Sequence, residues 1–352
     1  TVTPGGPTTF CTGGSVTLTS SSATGNQWSL DGNPIGGATG QQYIATATGA
    51  YTVTVTTSGC TSAPSTATNV TVNPIPPTPT ITPSGPTTFC TGGSVTLTSS
   101  SASGNQWYDG VTLLVGETNP TYIATTSGSY NVIVTASGCS SAPSASTSVT
   151  VNPIPPTSTI TPGGPTTFCT GGSVTLTSSS AAGNQWYDGL TLLVGETNPT
   201  YIATTSGSYN VIVTASGCSS APSASTTVSV NPIPPTSTIT PGGPTTFCTG
   251  GSVTLTSSSA SGNQWFLDGN PIGGATNQAY IATATGAYTV TVTTSSCTSA
   301  PSAATNVTVN PIPATSTITP GGPTTFCAGG SVTLTSSSAS GNQWFLDGNP
   351  IG

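Results

Sequence analysis

The segments FCTGGSVTLTSSSASGNQW at residues 247–265 and GAYTVTV at residues 286–292 decide the fold of this 352-residue chain. In both segments Val, Leu and Tyr alternate with Thr, which places apolar side chains on one side of an extended backbone and hydroxyls on the other. Gly and Ser clusters separate such runs, and no stretch of the chain has the helical period. The sequence therefore predicts an all-β protein with about seven short strands per repeating unit.

The repeating unit is 79 residues long, because the Cys residues alternate at intervals of 49 and 30 residues and the Trp and Tyr residues keep the same period. We predict β-sandwich repeats one to four at residues 1–79, 80–158, 159–237 and 238–316, and an incomplete fifth repeat at 317–352, so we expect the chain to be part of something longer. The periodic residues are Cys11, Cys60, Cys90, Cys139, Cys169, Cys218, Cys248, Cys297 and Cys327; Trp28, Trp107, Trp186, Trp265 and Trp344; and Tyr51, Tyr130, Tyr209 and Tyr288.

Two subtypes of repeat differ in the segment after the Trp. Repeats one, four and five carry LDGNPIG, whereas repeats two and three carry YDGVTLLVGETNPTY or a close variant. Each segment contains an Asp-Gly pair, which predicts a hairpin turn. The joint VNPIPPT between repeats has Pro at three of seven positions and is predicted to be a short, semi-rigid spacer. The Asp-Gly pairs begin at Asp31, Asp109, Asp188, Asp268 and Asp347.

Composition excludes several classes of function. The chain has no Lys, Arg, His or Met, and its only formal charges are five Asp and two Glu. Without cations it lacks the groups that bind nucleic acid or an anionic membrane surface. Every apolar run is too short to cross a bilayer, so no membrane insertion is expected. The absence of Lys and Arg also removes every site for trypsin-like proteases.

Catalytic and metal sites have few candidate residues. With no His and no CxxC pair, the nine Cys indicate disulfides in an oxidising compartment and no zinc site. Asp109 with Glu117, and Asp188 with Glu196, flank one hairpin as a glycosidase pair would, but Asp-Gly is turn chemistry and the other subtype lacks the Glu. One or two carboxylates per repeat are too few for calcium. We predict no enzyme activity, no cofactor and no metal.

The quoted segments resemble strands B, C and F of immunoglobulin-like domains, and the fuller pattern resembles tandem repeats of secreted Bacteroidota surface adhesins, including gliding-motility adhesins. The resemblance covers the whole chain and implies surface export. Trp28, Trp107, Trp186 and Trp265 would then pack in the core with Tyr51, Tyr130, Tyr209 and Tyr288. Their alternation with Thr favours this interpretation over exposed platforms that stack on sugars. The core disulfide of antibody-type domains is missing, because Ser20 and Val53 take its two positions.

Two disulfide pairings remain open under this resemblance. Strands B and F run in the same direction, which places Cys11 and Cys60 at opposite ends of one sandwich, and tandem stacking would bring Cys11 to the next repeat. This scheme pairs Cys11 with Cys139, Cys90 with Cys218 and Cys169 with Cys297, leaving Cys60, Cys248 and Cys327 for partners outside the fragment. The other scheme pairs Cys within each repeat, beginning with Cys11 and Cys60.

The leading functional hypothesis is a structural extracellular filament or adhesin stalk, a stiff, disulfide-reinforced, protease-resistant rod at a bacterial surface. Its partners would be neighbouring repeats and laterally associated copies. The alternative is a multivalent binding module that recognises a glycan or another surface ligand through its loops.

Overall fold

The computed structural model describes residues 1–352 and consists of strands and turns. It confirms the predicted tandem array of immunoglobulin-like sandwiches, because the same strand pattern and sheet order recur every 79 residues. The chain divides into two compact units: residues 1–161, 177–201 and 209–226 form the first, and residues 162–176, 202–208 and 227–352 form the second. No helix capable of spanning a membrane is present.

Repeat one contains nine strands in two sheets. Strands β1, β3 and β6 form one sheet, and the other has the order β2-β9-β7-β4-β5, with β8 paired to β7. All pairs are antiparallel except β2 with β9. The strands are β1 (Val2–Pro4), β2 (Thr9–Cys11), β3 (Val16–Ser20), β4 (Asn26–Leu30), β5 (Asn33–Pro34), β6 (Gln42–Ala45), β7 (Gly49–Thr57), β8 (Cys60–Thr61) and β9 (Thr68–Asn73).

The later repeats follow the same order. Repeat two has β10 (Ile81–Pro83), β11 (Thr88–Cys90), β12 (Val95–Ser99), β13 (Asn105–Asp109), β14 (Thr112–Leu113), β15 (Thr121–Ala124), β16 (Gly128–Ala136), β17 (Cys139–Ser140) and β18 (Thr147–Asn152). Repeat three has β19 (Ile160–Pro162), β20 (Thr167–Cys169), β21 (Val174–Ser178), β22 (Asn184–Asp188), β23 (Thr191–Leu192), β24 (Thr200–Ala203), β25 (Gly207–Ala215), β26 (Cys218–Ser219) and β27 (Thr226–Asn231). Repeat four has β28 (Ile239–Pro241), β29 (Thr246–Cys248), β30 (Val253–Ser257), β31 (Asn263–Leu267), β32 (Asn270–Pro271), β33 (Ala279–Ala282), β34 (Gly286–Thr294), β35 (Cys297–Thr298) and β36 (Thr305–Asn310). Residues 317–352 hold β37 (Ile318–Pro320), β38 (Leu334–Ser336), β39 (Trp344–Leu346) and β40 (Asn349–Ile351).

Each complete repeat has nine strands, where the sequence predicts about seven, for two reasons. The first strand divides at Gly5, so that β1 joins one sheet and β2 joins the other. In addition, β5 and β8 are two-residue strands that have no periodicity of their own.

The core of each repeat is a Trp and a Tyr between the sheets. Trp28 is fully buried, and its Nε1 donates a hydrogen bond to the carbonyl oxygen of Gly40 at 2.9 Å. The Tyr51 hydroxyl donates to the carbonyl oxygen of Ala47 at 2.9 Å, which is the tyrosine corner of immunoglobulin-like domains. Burial raises the pKa of Tyr51, so the phenol remains protonated and can donate. The equivalent residues Trp107, Trp186, Trp265, Tyr130, Tyr209 and Tyr288 are buried likewise.

The Asp-Gly turns are formed as predicted in one subtype and shifted in the other. In repeat one Leu30 pairs with Asn33, so Asp31-Gly32 is a two-residue turn with φ of 46° and 81°. In repeat two Asp109 itself pairs with Thr112, and the turn moves to Gly110-Val111. The reason is that Asp follows Trp by three residues in repeat one and by two in repeat two.

Residues 317–352 form only two two-stranded sheets. They contain no counterparts of β33, β34 and β36, against which Trp265 packs in repeat four. Trp344 is accordingly only half-buried, whereas Trp265 is fully buried.

Candidate functional site: the joints between repeats

Cys11 lies at the end of repeat one from which the chain leaves. Strand β2 runs parallel to β9, and the register places Cys11 opposite Asn73, the last residue of β9. The Pro-rich joint begins at Pro74. The parallel pairing therefore fixes the first Cys of a repeat beside its exit.

Cys139 lies at the opposite, entry end of repeat two. The first strand of this repeat begins at Ile81, which pairs with Ser99 at the end of β12. The next strand, β13, begins at Asn105, which pairs with Val134 near the end of β16. The hairpin between β16 and β17 that carries Cys139 therefore faces the preceding repeat.

The two Cys residues form a disulfide across the joint. The Sγ atoms of Cys11 and Cys139 are 2.03 Å apart and their Cα atoms 5.6 Å apart, a separation typical of disulfides. The bonds Cys90–Cys218 and Cys169–Cys297 repeat this arrangement with the same Cα separation. The structure thus contains the pairing between neighbouring repeats, and Cys60, Cys248 and Cys327 are free and exposed.

An Asn side chain makes a second bridge at each joint. Asn73 donates from Nδ2 to the carbonyl oxygen of Ser137 at 2.8 Å, while its own carbonyl oxygen accepts the N–H of Thr12 at 2.9 Å. The bridge recurs from Asn152 to Ser216 at 2.8 Å and from Asn231 to Ser295 at 3.1 Å. Our sequence reasoning missed these residues, although an Asn-Pro pair at the same position in four repeats could have indicated them.

The turn that receives the Asn differs at the third joint. In repeat two it is Ser137-Gly138, with φ of 49° and 77°, which is the two-residue turn that favours Gly. In repeat four Ser296, with φ of 66°, replaces the Gly. A side chain in this left-handed conformation is strained, and the Asn bridge at this joint is the longest of the three.

The carboxylates stabilise the fold locally. Asp109 accepts the N–H of Ser129 through Oδ1 at 2.7 Å, and Asp31 accepts that of Ala50 at 2.8 Å. A Cβ at Gly128 would lie 2.7–2.9 Å from the Asp109 carboxylate, so a larger residue there would displace the carboxylate from the N–H of Ser129. Glu117 contributes its main-chain oxygen to the N–H of Trp107. No group of three or more Cys, Asp or Glu residues is arranged to hold a metal ion.

Comparison with known proteins gives matches among solved structures alone. No family model matches the chain, and no curated protein matches its sequence. The N-terminal eight Ig domains of Down Syndrome Cell Adhesion Molecule isoform 1.30.30 match 84% of this chain at 14% identity with a TM-score of 0.32, and this chain spans only 45% of that structure. The titin I-band fragment I67-I69 matches 66% of this chain at 14% identity, over 97% of its own length, with a TM-score of 0.38.

Proposed function

We propose that the chain is a structural segment of an extracellular stalk or filament at a bacterial surface, in which each repeat is locked to the next. The observation that carries the proposal is the repetition of one joint, with a disulfide and an Asn bridge on equivalent atoms, at all three complete boundaries. A spacer whose purpose is reach needs such identical joints, whereas ligand recognition does not require them.

The disulfides support an extracellular location, because such bonds persist in oxidising compartments. Each closes a loop with a sequence separation of 128 residues. In the chain-entropy model a loop of this length stabilises the folded state by about 5 kcal/mol. Small sandwiches of this size are marginally stable by themselves, so the joints would stabilise each repeat as well as orient it.

The surface chemistry supports a passive role. The carboxylates Asp31 and Asp109 are engaged with strand N–H groups, and the chain has no His or Lys to act as a general base. The absence of Lys and Arg also fits a protein exposed to proteases. We therefore propose no catalytic function for this segment.

The test is disulfide mapping of the natural material combined with a measurement of stiffness. Peptides from a non-reducing digest should join Cys11 to Cys139, Cys90 to Cys218 and Cys169 to Cys297. Small-angle scattering before and after reduction should show that the intact chain is stiffer. Peptides that join Cys11 to Cys60, or scattering unchanged by reduction, would contradict the proposal.

A further inference from the structure

A groove lies on the outward face of the larger sheet in repeats two and three. In repeat two, Gln106 and Tyr108 on β13 face outward, and Gln106 pairs with Ile133 on β16. The groove has a volume of about 630 Å³, and its equivalent in repeat three, beside Tyr187 and Ile212, about 650 Å³. Both grooves are open to solvent.

The combination of Tyr and Ile in the walls is specific to repeats two and three. Repeat one carries Ser29 and Thr54 where repeat two carries Tyr108 and Ile133. Repeat four carries Phe266 and Thr291 at these positions. The strands and register are otherwise the same. The sandwich therefore folds without an aromatic wall, and the folding of repeats two and three does not by itself require their outward-facing Tyr.

The lining of the groove is neutral and rich in hydrogen-bonding groups. Hydroxyls come from Thr118, Thr135 and Ser140. The Gln106 side chain is held in place by a hydrogen bond from Nε2 to the carbonyl oxygen of Leu114 at 2.8 Å. An aromatic wall beside a fixed amide and several hydroxyls suits a ligand with apolar faces and many hydroxyls.

We infer that these grooves bind neutral oligosaccharides, with Tyr108 and Tyr187 as stacking surfaces. Charge favours this occupant: the chain has a formal net charge of −7 and no cation, so acidic glycans and nucleic acids are repelled. The site is distinct from the core Trp and Tyr residues. It would give a structural stalk two equivalent contacts with a polysaccharide.

Calorimetric and NMR titration of the full chain tests the inference, with cellohexaose, maltohexaose and chitohexaose as probes up to about 10 mM, where millimolar dissociation constants are measurable. At least one probe should bind at two sites and shift the resonances of Tyr108, Tyr187 and their neighbours. Tyr108→Ser should leave one site, and Tyr108→Ser with Tyr187→Ser should weaken binding by about tenfold or more.

Matched variants separate binding from folding. Ser is the residue that repeat one carries at this position, and Ile133→Thr with Ile212→Thr likewise copies repeat one, so both double variants should keep the unfolding temperature and still weaken binding. Phe266→Ser in repeat four should leave binding unchanged, because that repeat has Thr291 where repeats two and three have the Ile wall. Absence of binding by all three probes, or binding that survives both double variants, would overturn the inference.

Discussion

The hairpins that follow β7 in repeat one and β16 in repeat two have closely similar sequences, yet only the second is buried. Cys60 is exposed, whereas Cys139 is 1% exposed. Val134, Ser141 and Ser144 are buried, while their counterparts in repeat one are more exposed. Burial of this hairpin is therefore a property of the joint and not of the repeat.

The linker lies beside this hairpin in addition to the disulfide. The linker residues Pro74–Pro79 line a common groove with Val134, Thr135 and Ala136 of repeat two. The preceding repeat adds Cys11 and the Asn73 bridge. Residues of the preceding repeat and the linker therefore lie against the hairpin of the next repeat. Variants at each of these contacts test how much it contributes to stability.

Removal of the disulfide should have the largest effect. Cys11→Ser with Cys139→Ser should lower the free energy of unfolding by up to about 5 kcal/mol, because the unfolded chain regains the entropy of a long loop. Differential scanning calorimetry measures the change. Cys60→Ser is the control and should leave the transition unchanged; equal effects of the two variants would show that the disulfide adds no stability.

Removal of the buried Ser144 hydroxyl should have the second-largest effect on stability. Ser144 accepts the N–H of Val132 through Oγ at 3.1 Å, and Ser65 accepts that of Val53 at the same distance. Ser144→Ala should cost about 1–3 kcal/mol because it leaves a buried N–H unpaired, while Ser65→Ala should cost less because water reaches that site. Chemical denaturation with amide exchange at Val132 and Val53 compares them, and a greater cost at Ser65 would contradict the explanation by joint burial.

The Asn bridge should contribute about 1 kcal/mol. Asn73→Ala removes the hydrogen bond to Ser137, whereas Asn310 has no following hairpin to bridge in this chain. The unfolding temperature of Asn73→Ala should therefore fall further below that of the unmodified chain than the unfolding temperature of Asn310→Ala. If both lose the same stability, the Asn acts within its own repeat.

The smallest effect concerns the turn of the third joint. Ser296→Gly should raise stability by about 0.5–1 kcal/mol, because Gly adopts a positive φ without strain. The reciprocal change, Gly138→Ser, should destabilise the first joint by a similar amount. Calorimetry measures the change in unfolding free energy of each variant. Changes of the same sign in the two variants would rule out backbone strain as the cause.

The sequence was sufficient for the repeats because strand alternation and Trp spacing are local signals. It was also sufficient to propose which Cys residues meet, since strand direction places Cys11 and Cys60 at opposite ends of a sandwich. The turn shift at Asp109 was also readable, since Asp follows Trp by two residues there and by three in repeat one. The bridge of Asn73 and the burial of Ser144 were not, because they exist only after a second repeat has docked.

The surroundings of the outward-facing Tyr108 are a second feature that the sequence does not predict. Alternation predicts which residues point away from the core, but it does not show that Gln106, Tyr108 and Ile133 line one groove. That grouping depends on the pairing of β13 with β16. It could not be obtained from the order of the residues in the sequence.

Because the three disulfide loops overlap, they limit how far the oxidised chain can be extended between Cys11 and Cys297. Cys90 lies inside the loop closed by Cys11 and Cys139, and Cys169 lies inside the loop closed by Cys90 and Cys218. The shortest covalent path from Cys11 to Cys297 follows only the 30 residues from Cys139 to Cys169. Fully extended, that path measures about 100–110 Å, whereas the reduced chain would extend about ten times further. When the oxidised chain is pulled, this covalent path becomes taut while the segments from β12 to β16 and from β21 to β25 still carry no tension.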